Sequence, residues 1–361
     1  MKKIIIHLLA VVFLIGCAGP TQQEEQLKQP TLATSPKLSD SKEITKTPNP
    51  IPQIQQINYD ANQEKQIREL IQGIVTPSPE KQDLIIKKLH KLDPTVIKPA
   101  LMKLLKDDDS WVRYSTISAI GHLDMEEATP ELIKLLNDKD SDVRIAAAYS
   151  LAQFNSQEAI PELIKLLEDK NPSVRGSVAD ALSMLNTKEA IPKIIKLLNS
   201  TDSYERQACA KALGKIGAKE AIPSLIKLLY DKSEEVRCVA VMSLDELNAE
   251  EAVTDLIKIL SNESWSTQLK IVRMLSKFNA KETILEIAKL LSDEHQDLRV
   301  AAIVVLIEFN AIDKIPQTNI EDVKYILKNS GYYSAIIQAR SRQALKQLGV
   351  PEEEIERAKS K

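Results

Sequence analysis

Apolar residues along most of this chain recur at the three- and four-residue steps of a helix, and the helical blocks themselves recur. Around Arg144, the residues Val143, Ala147, Ala148, Leu151 and Phe154 fall on one stripe, which is the buried face of an amphipathic helix. A shorter pattern precedes that block, reading Ile-Pro-Glu-Leu-Ile-Lys-Leu-Leu over residues 160–167. From about residue 95 the pair repeats every 31 residues without insertion. Arginine marks the step at Arg113, Arg144, Arg175, Arg206, Arg237 and Arg299, with Gln268 in the remaining slot. Fourteen residues before the arginine stands a proline at Pro99, Pro130, Pro161, Pro192 and Pro223; Thr254 and Leu285 take its place later, and it returns in phase at Pro316. A fixed period of this length predicts an all-α fold, an α-solenoid of helix pairs in which each unit covers the apolar stripe of its neighbours.

The polar positions between the stripes supply the helix ends. Four residues before each arginine slot come Asp109, Asp140, Asn171, Asp202, Ser233 and Ser264, whose side-chain oxygens can accept the free N–H groups of a first turn. Eleven residues after the slot come Asp124, Asn155, Asn186, Gly217, Asn248, Asn279 and Asn310, all tolerant of the left-handed conformation that ends a helix. The recurrent proline falls in or near the opening turn of the first helix, where its missing N–H is harmless.

This places seven units over residues 95–311. A degenerate pair at 61–94, interrupted by Pro77 and Pro79, reads as an N-terminal cap. A second degenerate stretch at 312–350, with about eight extra residues around Gly331-Tyr332-Tyr333, reads as a C-terminal cap. Terminal repeats must cover the open ends of a stack. Residues 351–361 are charged and are expected to form a solvated helical tail.

The start of the chain has a different character. Lys2 and Lys3 precede an apolar run from Ile4 to Ile15, long enough for a secretory signal and too short to span a bilayer. The run ends at Leu14-Ile15-Gly16-Cys17, which resembles the lipobox of bacterial lipoproteins. The resemblance implies a signal peptide over 1–16, lipid attached to Cys17, and a membrane-tethered location in the cell envelope. Ala18 follows the cysteine where an Asp would favour the inner membrane, so the outer membrane is expected in a two-membrane source. Residues up to 60 are rich in Gln, Thr, Ser, Lys and Pro with no apolar period, the composition of a disordered tether.

The repeat also resembles a family. Ala159-Ile160-Pro161, Leu166-Leu167, Asp169, Val174-Arg175 and Ala181-Leu182 are similar to short HEAT repeats of the type found in phycocyanobilin lyases, over roughly residues 62–350. Asp107, Asp138, Asp169, Asp231 and Asp293 recur six residues before Arg113, Arg144, Arg175, Arg237 and Arg299 or their neighbours in the series. The resemblance implies that these Asp and Arg residues tie successive units together rather than forming an anion-binding strip. It also implies that the second helices line a concave face.

On that face, the position five after the arginine lies opposite the apolar stripe. It reads Ser118, Tyr149, Asp180, Lys211, Met242, Arg273 and Val304, without repetition. With Trp111, Tyr114 and His122 it is the expected partner-binding row, since aromatics favour binding hot spots. Catalytic chemistry has little support. His90, His122 and His295 lie in three different units, no His-Glu dipeptide occurs, and Cys209 reads as core with Cys238 more exposed. No metal or cofactor is expected. Lys+Arg total 48 against 51 Asp+Glu, a net charge of −3, which gives no footprint for nucleic acid. The expectation is a monomeric envelope scaffold for a protein or peptide, with a bilin-lyase-like enzyme or accessory subunit and a passive spacer as alternatives.

Overall fold

The computed structural model describes residues 61–75, 78–329 and 332–359. The expected signal peptide, Cys17 and the tether to residue 60 lie outside the described residues, as do Pro77 and Gly331. The described chain is an all-α solenoid; no strand occurs among its described residues.

Helices Ala61–Gln72 and Pro79–Leu89 come first. Seven helix pairs follow: Pro94–Leu104 with Ser110–His122, Thr129–Leu135 with Ser141–Gln153, Ile160–Leu166 with Pro172–Met184, and Ile191–Leu197 with Ser203–Ile216. The last three are Ile222–Leu228 with Glu234–Glu246, Val253–Ile259 with Trp265–Lys277, and Ile284–Lys289 with Gln296–Glu308. We number them units 1 to 7. Every second helix begins 31 residues after the one before it.

Local chemistry accounts for the helix ends. Asp109, Asp140, Asn171, Asp202 and Ser233 each cap their helix by accepting a first-turn N–H. Ser264 holds the cap position but makes no such bond. All seven positions read as helix stops adopt positive φ, from 51° at Asp124 to 74° at Gly217. Prolines 130, 161, 192 and 223 stand in the opening turn of their helices. Pro99 departs from that pattern and sits inside its helix, because the Asp93 cap and Pro94 start unit 1 five residues earlier.

Val143, Ala147, Ala148 and Leu151 are fully buried, as their stripe requires, and their counterparts join them in one continuous core. Second helices of adjacent units pack on each other through the stack, whereas each first helix packs mainly on its own unit. A stack with one layer drawn closer than the other curves toward that layer, so the second helices form the inner face.

Helices Ile320–Lys328 and Ala335–Gln347 follow unit 7. The tail is the expected helix, Glu352–Lys359, but it is docked rather than wholly solvated, burying Ile355 to 1% exposure. Lys324 and Arg342 fasten it through Glu354 and Glu352, at 2.5 Å each. One isoleucine among charges offers no period to read, which is why the sequence conceals this contact.

Candidate functional site: the inner face and its ladders

The arginine row forms an inter-unit ladder. Arg113 donates Nη1 to the Asp107 carbonyl of its own unit at 2.7 Å, and Nε and Nη2 to the Asp138 carboxylate of the next unit at 2.8 and 2.6 Å. Arg206 bridges the Ser200 carbonyl and Asp231 in the same way, and Arg144 bridges the Asp138 carbonyl and Asp169 with one hydrogen bond to the carboxylate, from Nη2 at 2.9 Å. Each aspartate also accepts the backbone N–H two residues on, as Asp138 does from Asp140 at 2.9 Å, so it shapes its own turn before receiving the guanidinium. Both members of the Arg113–Asp138 and Arg206–Asp231 pairs are buried. Where Ser200 replaces the aspartate, Arg175 turns to Glu205, with two bonds of 2.6 Å. Arg299 pairs with Asp322 of the cap, and Arg68 reaches back to Asp107. Hydrogen bonding to the carboxylate raises the pKa values of Arg113, Arg175, Arg206, Arg237 and Arg299. These guanidiniums are committed to the fold.

The row five after the arginine is less open than its spacing suggests. Asp180 is buried at 5% exposure, and Ser118, Tyr149, Lys211, Met242 and Val304 are only partly exposed. The close approach of neighbouring second helices covers them. It also lets the row satisfy itself. The Tyr149 hydroxyl donates to Asp180 Oδ2 at 3.4 Å, and Lys211 Nζ stands 3.7 Å from Asp180 Oδ1. Burial, then the Asp180 charge, pushes the Tyr149 hydroxyl far above its ordinary range. Burial pulls Lys211 downward, against the attraction of Asp180. Arg273, at the far end, is exposed and faces Tyr333, whose hydroxyl is pushed up first by burial.

The other predicted residues split into separate places. Trp111 and Tyr114 stack, with ring centroids 5.7 Å apart and planes at 22°. His122 lies at the opposite end of the same helix, roughly 16 Å along its axis, where it meets Gln82 at 3.5 Å. Cys238 is buried at 4% exposure, contrary to expectation, because it faces the neighbouring helix. Cys209 is fully buried, which pushes its thiol well above the range where a thiolate forms.

Gly176, one turn before the predicted row, and three residues outside the spacing, Tyr204, Lys215 and Glu246, complete the central cluster. Gly176 leaves room for Tyr204: a Cβ there would meet the Tyr204 ring at 3.2 Å and Glu205 Cα at 3.3 Å. The Tyr204 hydroxyl lies 3.1 Å from Ser177 Oγ, while 42% of the residue stays exposed. Lys215 adds a second ammonium to Asp180 at 3.2 Å. Glu246, on the next unit, has its carboxyl pushed up by burial against the pull of Lys215.

Lys215 and Glu246 belong to the row nine after the arginine: His122, Gln153, Met184, Lys215, Glu246, Lys277 and Glu308, exposed at every position. This row lies one turn beyond the predicted one, and it carries a second set of ties. Gln153 donates to the Gly121 carbonyl at 3.3 Å, Lys277 to the Asp245 carbonyl at 3.1 Å, and the Ser276 hydroxyl pairs with Glu308. The carbonyls belong to the last turn of the preceding second helix, where each accepts an N–H from three residues on, Asp124 or Asn248, and has its second lone pair for the side chain. No group of three or more potential metal-ligating side chains occurs among the described residues.

An α-solenoid of helix pairs joined by an Asp/Arg ladder defines a class of helical-repeat protein. The model described as HEAT repeats matches residues 67–151, 129–208 and 191–266. The chain belongs to the HEAT-repeat family. No curated protein matches it at a significant level. Among solved structures, it is similar to YibA from E. coli, at 19% identity and a TM-score of 0.54, over 75% of this chain and 98% of that one. It is also similar to the CpcE–CpcF complex of phycocyanin lyase from Nostoc sp. PCC7120, at 22% identity, TM-score 0.41, with 72% and 95% covered. An engineered protein matches at 24% identity, TM-score 0.44, with 81% and 92% covered. The likeness to YibA establishes the fold alone.

Proposed function

We propose that this protein is a scaffold of the bacterial cell envelope, anchored by lipid on Cys17, that holds a protein or peptide partner along its inner face. The observation that carries the reading is the centre of that face. Tyr204 projects over Gly176 beside a strip of alternating charge, Asp180, Lys215 and Glu246, laid across three successive units. A rigid aromatic ring next to paired donors and acceptors supplies contact area and orientation together. The identity of the exposed row changes from unit to unit, while the ladder beneath it repeats; variation is confined to where a partner would touch. The role is one of binding, without metal or cofactor and without nucleic acid, by a single copy of the chain.

Two experiments test the two halves of this reading. For the anchor, cells expressing the full chain are labelled with palmitate and fractionated; the label and membrane location should both disappear in Cys17→Ser. Persistence of either in that variant excludes the lipid at Cys17. For the face, envelope extracts are passed over the immobilised Cys17→Ser chain and over the same chain carrying Tyr204→Ala and Lys215→Ala. A partner retained by the first and lost by a still-helical second places binding at the central strip. Equal capture by both, or none by either, refutes that placement.

A further inference from the structure

Unit 6, residues 253–277, keeps the ties of Lys277 to Asp245 and of Ser276 to Glu308 but departs from units 1–5 along the ladder that joins one unit to the next. Thr254 stands where units 1–5 have proline, Asn262 where the turn aspartate recurs, and Gln268 where the arginine recurs. Gln268 spends its side-chain amide on the Leu260 carbonyl at 2.9 Å, within its own unit. Asp293 of unit 7 therefore receives no guanidinium from unit 6; it keeps the backbone N–H two residues on, from His295 at 2.8 Å, and takes His295 Nδ1 at 2.9 Å where a guanidinium would sit. The His295 ring stacks on Trp265 at 4.8 Å, a planar contact in place of a bidentate charged one. On the other side, Arg237 reaches unit 6 by one bond, Nε to Glu263 Oε1 at 2.6 Å, and Glu263 Oε2 is buried without a hydrogen-bond partner.

The helix packing follows the same pattern. The interface between Glu234–Glu246 and Trp265–Lys277 is the thinnest between successive second helices of the seven units. The two helices of unit 6 also meet each other less than the pair in any other unit. Its second helix is the one among units 1–6 whose cap residue, Ser264, makes no first-turn bond. In a solenoid, stability is a sum of unit terms and nearest-neighbour interface terms. A unit weak in both opens before those on either side.

We infer that unit 6 is a built-in hinge, a unit that opens locally and divides the solenoid into an N-terminal block of units 1–5 and a C-terminal block of unit 7 with its caps. The division falls beyond Glu246, so the central strip lies wholly within the first block. Opening unit 6 changes the span and direction of the inner face without disturbing that strip.

Native-state hydrogen exchange on the full chain tests this, because it reads local opening segment by segment. Amides of Trp265–Lys277 should exchange at least about tenfold faster than those of Ser203–Ile216. Gln268→Arg supplies the missing guanidinium opposite Asp293 and should slow exchange across Trp265–Lys277 by about tenfold or more, while leaving Ser203–Ile216 unchanged. Arg206→Gln makes the reverse change, and should raise exchange in Ser203–Ile216 toward the unit 6 rate. Protection of unit 6 equal to that of unit 4 would overturn the inference. So would a folded Gln268→Arg chain with unaltered exchange in unit 6. If that variant fails to fold, an Arg206→Gln chain with unaltered exchange in unit 4 would overturn it as well.

Discussion

Units 2 to 5 and unit 6 share a period, a core stripe and a left-handed stop at Asn155, Asn186, Gly217, Asn248 and Asn279, yet they are joined to their neighbours by different chemistry. In the first group, guanidiniums bridge a carbonyl of their own unit and a carboxylate of the next, from buried positions at Arg144 and Arg206 and part-buried ones at Arg175 and Arg237. In unit 6 an amide closes on its own unit and a ring stack replaces the bridge. The shared features build a helix pair; the differing ones decide how firmly a pair is coupled to the stack. Folding into a solenoid and being a rigid solenoid are thus set by different residues.

The comparison can be broken most forcefully at Arg206. Arg206→Gln strands Asp231, buried at 9% side-chain exposure, and should cost about 3–5 kcal/mol in urea unfolding, as removal of one partner from a buried pair does. Gln268→Ala, at the equivalent position of unit 6, removes only a neutral hydrogen bond and should cost about 1 kcal/mol. Equal losses would erase the distinction between the units.

Acid sharpens the same contrast. Burial works against ionisation of Asp231 and Asp322, but hydrogen bonds from Arg206, Ser233, Arg299 and Asn319 outweigh it and hold both carboxyls below their usual range. A depressed folded-state pKa contributes stability above the unfolded value, about 3.9, and that contribution is lost as pH falls through the lowered folded value. Stability should therefore drop steeply below about pH 4 in the parent chain and less steeply in Arg206→Gln. A pH titration of the urea midpoint for both chains measures this.

Asp180→Asn should come next, at about 1–3 kcal/mol, because it leaves Lys211 and Lys215 without their carboxylate and weakens the acceptor for Tyr149. Thermal unfolding with the Tyr149→Phe variant as a reference checks whether the cluster acts as a unit. The smallest effect separates the caps: Asp140→Ala should cost about 1 kcal/mol and Ser264→Ala less than about 0.5 kcal/mol, since only Asp140 accepts first-turn N–H groups.

Much of the architecture could be read from the chain, because period, cap and stop are local properties. The 31-residue step fixes every second-helix start, and the Asn and Asp stops all take positive φ. The inner face was harder to read. Spacing placed Tyr149, Asp180 and Lys211 on one row, but those residues are 31 apart, the distance at which adjacent units touch. In the middle of the row expected to await a partner, Tyr149, Asp180 and Lys211 occupy one another, and a row exposed at every position lies one turn further, at Lys215, Glu246 and Lys277. A helical wheel gives the direction of a side chain and says nothing of how near the next helix comes. The partners of Glu205 and Glu263 were hidden for a related reason: a longer side chain on a shifted position replaces the missing aspartate.

The two tryptophans offer the most direct test of a strong block joined to a weak unit. Trp111 reports on unit 1 and Trp265 on unit 6, so Trp265→Phe and Trp111→Phe each leave a single fluorescent probe. Equilibrium urea unfolding followed at each probe should give a lower midpoint for Trp265 than for Trp111, with the two curves clearly separated. Coincident transitions at both tryptophans would show one cooperative unit and contradict the account.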